Sequence, residues 1–166
     1  ASDVYKRQGL GWLPNGDLLI VSMLDRKILK FSEGSISVHA DLSEYVEHKC
    51  NDMVVSRDGT AYVGNFGMGD AGESMNSTHL MIVKSDGTVL KGPDNLLFPN
   101  GTVITEDGKK LIVAETLGAK LTSFDIEDNG ELINRKLWAR TSPLFSLLII
   151  KFLSLLGFDL SKVYFS

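Results

Sequence analysis

Three stretches of the chain superimpose when aligned on their turns: GLGWLPNG at 9–16, NDMVVSRDG at 51–59 and NGTVITEDG at 100–108. Each leads into a short apolar run: Leu18–Ser22, Thr60–Gly64 and Leu111–Ala114. The turn glycines Gly16, Gly59 and Gly108 lie 43 and 49 residues apart. Asn-Gly and Asp-Gly between β-rich runs predict hairpins in which both turn positions take positive φ. Asp86-Gly87 and Asn129-Gly130 supply two further turns between the copies. Short strands recurring every ~40–50 residues are the mark of propeller blades, each a four-stranded sheet that stacks on its neighbours. Ile28–Phe31 and Leu121–Asp125 then read as third strands. The chain is expected to be all-β and to hold about three blades of a propeller, which closes with typically four to eight. An all-β solenoid or sandwich is the alternative.

The texture of the repeat covers residues 9–139 and stops at both flanks. Residues 1–8, with Asp3-Val4-Tyr5-Lys6-Arg7-Gln8, read as adaptor-derived or disordered sequence and are set aside from the fold. Residues 140–166 form an apolar tail, expected to be unrelated to the fold, either non-native or helical. Eleven of the fifteen residues from Leu144 to Phe158 are apolar, with Lys151 in their midst. A spanning helix needs ~20 apolar residues, so a membrane anchor is disfavoured. The favoured reading is a tail arising from an unspliced intron or a frame change, with an amphipathic or partner-docking segment as the alternative.

A net charge of −4 with scattered Lys and Arg leaves no basic stripe. Nucleic-acid binding is therefore not expected, since phosphate contacts supply most of its affinity. One cysteine, Cys50, excludes an internal disulfide framework and CxxC-type zinc sites. No basic segment followed by an apolar run opens the chain, and the expected location is cytoplasmic.

The string GLGWLPNGDLLIVSMLDRKILKF resembles the second blade of bacterial-type gluconolactonase-like proteins. HADLS at 39–43 with KCNDMVVSRDGTAYVGNFG at 49–67 is similar to the third blade. LLFPNGTVITEDGKKLIVAETLGAKLTSFDI at 96–126, completed by NGELINRKLWA, is similar to the fourth. The chain thus resembles the senescence marker protein, gluconolactonase and regucalcin-like family over residues 9–139. That resemblance implies a six-bladed β-propeller, present here as a fragment, and a hydrolase activity on sugar lactones. It also implies one divalent cation at the top of the central channel, most often Ca2+, with Zn2+, Mn2+ or Mg2+ as alternatives. The family's ligands are a Glu from the first blade, an Asn from a PNG-like motif and an Asp from a later blade. By resemblance the Asn is Asn100. Asn51 matches a second channel-top Asn that contacts substrate and lies near the metal, so Asn51 is expected to join Asn100 in holding the cation, and Lys49 falls where some members carry a substrate-binding Arg. The Glu would precede this segment. The Asp, also the general base, would follow residue 139, so no catalytic residue is assigned and the chain alone is expected to be inactive. The implied mechanism has the cation polarise the lactone carbonyl and acidify a bound water, from which a carboxylate takes a proton.

Repeat phase supports the two asparagines independently, because each lies eight residues before its turn glycine. Equivalent positions in a propeller point toward the same end of the channel, and carboxamide oxygens suit a hard cation. The competing reading is that each merely bonds its local backbone in a turn. Asp52 is a candidate for an outer-shell role. Cys50 reads as a buried structural thiol. His39, His48 and His79 match no zinc-ligand spacing. The loop from Gly64 to Thr78 reads as a long channel-top loop that gates substrate. Glu115 either lines the channel or ends a strand in solvent. Gly67-Met68-Gly69 lacks the helix a phosphate loop needs. A strictosidine-synthase-like enzyme and a non-catalytic binding platform are the rival functions. The expected partner is a small lactone, with neither nucleic acid nor membrane.

Overall fold

The computed structural model describes residues 7–68 and 76–141. Twelve strands form three antiparallel sheets of four, with no helix among the described residues. The first sheet holds β1 (Arg7–Trp12), β2 (Leu18–Ser22), β3 (Lys27–Ser32) and β4 (Ser35–Asp41). The second holds β5 (Cys50–Val55), β6 (Ala61–Asn65), β7 (Met81–Val83) and β8 (Val89–Lys91). The third holds β9 (Pro99–Ile104), β10 (Lys110–Glu115), β11 (Lys120–Ile126) and β12 (Leu132–Arg140). In each sheet the strands lie in chain order. The first strands pack together, β1 on β5 and β5 on β9, so they form the inner edge from which the sheets radiate. This is the expected fragment of a propeller, with β3 and β11 as third strands. Residues 1–6 and 142–166, which include most of the predicted foreign flanks, lie outside the described residues. β1 begins at Arg7 and β12 ends at Arg140.

The five turn signals close hairpins, but not in the predicted conformation. Only the glycines take positive φ, from +73° to +90°; Asn15, Asp58, Asp86, Asp107 and Asn129 do not. In each turn the glycine N–H donates to the carbonyl three residues back, as Gly59 does to Ser56 at 3.0 Å. The preceding Asn or Asp then accepts, through its own side chain, the N–H two residues further on. Asp17, Thr60, Thr88, Lys109 and Glu131 donate these bonds at 2.9–3.2 Å. The Asx-Gly signal is therefore a side-chain-capped turn rather than a two-residue hairpin loop. At Asp107 the Thr105 hydroxyl and then the Lys109 N–H hold the carboxyl below its ordinary range. Gly59 has a second reason to be glycine: a Cβ there would sit 2.9 Å from that of Ser85.

Two apolar clusters hold the sheets together. Leu19, Val21 and Ile28 of the first sheet meet Met53, Ala61, Val63, Met81 and Val83 of the second. The opposite face of the second sheet, with Tyr62 and Ile82, meets Leu111, Val113 and Phe124 of the third. Alternation along β6 thus sends Ala61 and Val63 one way and Tyr62 the other. Each fully buried Val, Leu, Ile, Met or Phe among them contributes about 1.5–3 kcal/mol. The Tyr62 hydroxyl is satisfied by the Gly130 carbonyl at 3.0 Å.

Candidate functional site at the mouth of the inner strands

Every inner strand carries an irregularity at the same place. Pairing slips between Arg7 and Leu10 in β1 and between Cys50 and Met53 in β5. In β9 it slips opposite the step from Val113 to Glu115. The residues freed from the ladder are Gln8-Gly9, Asn51-Asp52 and Asn100-Gly101. Bulges re-aim side chains and are common beside functional sites. Asn51 and Asn100 therefore occupy the same position in adjacent blades, as the repeat phase predicts.

Their environments differ. Asn51 is fully buried. Its Nδ2 donates to the Pro99 carbonyl at 2.8 Å, and its Oδ1 accepts the Asp52 N–H at 2.8 Å. Its carboxamide is thus a clasp between β5 and β9, lying against Gly64, where a Cβ would meet it. Asn100 is half-buried, and its carboxamide has no hydrogen-bond partner among the described residues. Lys49 is half-buried, and its carbonyl accepts the Phe66 N–H at 3.0 Å. The Asp52 carboxylate accepts the Met53 N–H at 2.9 Å.

The chain two residues before Asn100 is anchored by aromatic packing. Phe98 is buried with φ at +53°, a strained setting for a bulky residue. It stacks on Phe66 with ring centroids 5.0 Å apart. The Thr116 N–H donates to its carbonyl at 3.1 Å. The strain is offset by packing, and it fixes how the chain enters Pro99-Asn100.

A second row of polar residues includes two that the sequence reading missed, Ser22 and Asn65, beside Glu115. Ser22, Asn65 and Glu115 end the second strands of the three sheets, and all three are buried. Ser22 donates to Asp25 at 2.6 Å. Asn65 donates to the His79 carbonyl and accepts from Gly67 N–H and the Thr78 hydroxyl. It thereby shapes the two described ends of the predicted gating loop, of which 69–75 lie outside the described residues. Glu115 is not a solvent-exposed strand end: its carboxylate accepts the Leu97 N–H at 2.9 Å and the Thr122 hydroxyl. Lys120 and Arg135 stand 3.4 and 3.5 Å away.

Among the described residues no three His, Cys, Asp or Glu converge on a point where they could hold a metal ion. Asn100 offers one neutral oxygen, whereas Ca2+ takes six to eight, carboxylates among them. The described residues do not complete a cation site. His39 Nε2 lies 3.3 Å from the Lys84 carbonyl, and burial, then Lys91, pulls the His79 pKa down. Two clefts of about 470 and 610 Å3 lie between the second and third sheets, away from the asparagines. No helix of the described residues is long and apolar enough to cross a membrane.

Cys50 is fully buried, and burial pushes its thiol up to about 12. Native protein is expected to react with iodoacetamide near pH 8 about a thousandfold slower than a free thiol. Mass spectrometry of alkylated native and urea-unfolded samples checks this; equal labelling would show that the thiol is accessible.

A family model described as SMP-30/Gluconolactonase/LRE-like region matches residues 2–144. Over 99 residues the chain is 32% identical to the diisopropyl-fluorophosphatase of Loligo vulgaris, covering 54% of this chain and 32% of that protein. Among solved structures, a luciferin-regenerating enzyme is similar at a TM-score of 0.64 and 18% identity, over 79% of this chain and 46% of that one. Virginiamycin B lyase from Staphylococcus aureus gives 0.61 and 16%, over 83% and 42%. At these identities the structures show the fold alone, and the chain spans less than half of each relative. The match over 2–144 settles the family: this chain belongs to the SMP-30/gluconolactonase/LRE-like family, whose members include hydrolases.

Proposed function

We propose that this chain is part of a hydrolase of sugar lactones, and that Asn100 is its contribution to a divalent cation, Ca2+ first, at the mouth of the channel. The observation that carries the reading is the pair of equivalent bulges in β5 and β9. One of the two carboxamides they aim is locked between blades, and the other has no partner among the described residues. Asn51, fully buried with its carboxamide bonded between β5 and β9, then acts by fixing the strand from which Asn100 projects and not by touching substrate, and substrate contact through Lys49 is part of the same proposal. Among the described residues no three His, Cys, Asp or Glu form a ligand cluster, and the 166-residue chain alone is proposed not to turn over lactone.

The test uses a natural protein that carries this segment together with the family's remaining blades. There, Asn100→Ala is expected to weaken Ca2+ binding at least ~10-fold, the scale on which supporting groups of metal sites act. Hydrolysis of an aldonolactone should fall with it. Calorimetric titration with Ca2+ and a pH-stat assay give the two readouts. If affinity and turnover both match the parent, Asn100 is not a ligand.

A further inference from the structure

The two described ends of the long loop between β6 and β7 meet at one buried side chain. Asn65 donates to the His79 carbonyl at 2.8 Å and accepts the Gly67 N–H at 3.1 Å and the Thr78 hydroxyl at 2.6 Å. The Asn76 N–H donates to the Gly67 carbonyl at 3.0 Å. Gly67 has φ at +63°, and a Cβ there would sit 2.7 Å from the Asn76 carbonyl oxygen. Residues 65–67 and 76–79 thus form a tight neck. On one side the Thr78–Leu96 bridge ties it to the segment that enters the third sheet. On the other, Phe66 stacks on Phe98, two residues before Asn100.

His79 sits in this neck with its ring unsatisfied. Its Nε2 is the one buried side-chain nitrogen or oxygen without a hydrogen-bond partner among the described residues. Groups from three other elements act on the half-buried ring: Lys91 of β8, Asp94 after it, and the Tyr45 carbonyl between the first two sheets. Burial, and then the Lys91 cation, push the ring below its ordinary pKa of 6.5, while the Tyr45 carbonyl and the Asp94 carboxylate oppose them. A buried neutral nitrogen without a partner costs less than a buried charged N–H without one. Protonation would also place a second cation near Lys91.

We propose that His79 is an acid-sensitive latch: its neutral ring lets Asn65 hold the neck shut, and its protonation parts residues 65–67 from 76–79 while the three sheets stay folded. In the open neck the ring reaches water and takes its proton near the ordinary 6.5; in the closed neck it does so only at lower pH. Closure is therefore fully favoured above that value. It is lost as the pH falls toward the closed-neck value, the open population rising by up to about tenfold per pH unit. The proposal does not rest on Asn100 holding a cation.

Hydrogen–deuterium exchange read by mass spectrometry tests it in a natural protein that carries this segment together with the family's remaining blades. The parent is compared with His79→Gln at each pH between about 5 and 8, the range in which histidine changes charge, so that the chemical pH dependence of exchange cancels. Peptides over 65–68 and 76–80 are expected to exchange up to about tenfold faster in the parent for each unit of acidification below its onset. Those of β2 and β10 should keep one ratio throughout. Lys91 and Asp94 are both exposed. Lys91→Gln should shrink the acid effect and Asp94→Asn enlarge it, and this pair reads the latch even if His79→Gln fails to fold. A neck ratio that stays flat across the range, or indifference to both charge variants, overturns the proposal. So does a rise shared equally by β2 and β10, which would mean that acid unfolds the whole domain.

Discussion

Glu115→Ala is expected to lower the stability of the fold by about 3–5 kcal/mol, the usual cost of removing one partner from a buried charged network. The carboxylate is fully buried and receives the Leu97 N–H, the Thr122 hydroxyl and two cations. Arg135 extends the network outward. It donates to the Asp94 and Asn95 carbonyls at 2.8 and 2.7 Å and lies 5.9 Å over the Phe124 ring. One side chain thus joins β10, β11, β12 and the segment that leads into β9. Truncation leaves a buried amide and hydroxyl unpaired and two cations without their anion. A domain is stable by only about 5–15 kcal/mol, so the urea midpoint should fall far below that of the parent. Glu115→Gln keeps an acceptor and should lose less. An unfolding free energy for the alanine variant within about 1 kcal/mol of the parent would show that water replaces the carboxylate freely.

The second large effect is expected at Gly64, in the middle of the inter-blade clasp. A Cβ there would lie 2.6 Å from the Pro99 carbonyl oxygen and closer still to the Asn51 carboxamide. Both are held, one by β9 and the other by its own hydrogen bonds. Gly64→Ala should therefore cost about 3 kcal/mol, from overpacking of ~1–3 kcal/mol and a disturbed buried hydrogen bond of similar size. Asn51→Ala removes the nearer of the two obstacles together with the bond and leaves the Pro99 carbonyl. The double variant should then be clearly more stable than the sum of the single losses requires, as contacting residues are not additive. Simple additivity, measured by urea unfolding of all four proteins, would mean that the two positions do not meet.

Much of this architecture can be read from the residues, and the remainder shows why some of it cannot. The blades were legible because Asx-Gly followed by an apolar run is local chemistry that repeats at a blade's length. The turn conformation was misjudged for the same reason: Asn-Gly fits more than one turn. Side-chain capping by Asn15 or Asp107 is visible only once the following N–H has a direction. The equivalence of Asn51 and Asn100 was legible from phase. That Asn51 reaches the Pro99 carbonyl was not, because the bond crosses between blades 48 residues apart. Glu115 was ambiguous because a charged residue at a strand end usually meets water. Its burial depends on Arg135, Lys120 and Leu97, which only the assembled third sheet brings together.

The two apolar clusters are separate, yet the second sheet belongs to both. Every residue of β6 and β7 is buried. Injury to the first or third sheet therefore stops at one seam, and the other seam survives it. A flaw in β6 or β7 opens both at once, so tolerance of sequence change should rise outward from the middle of the chain.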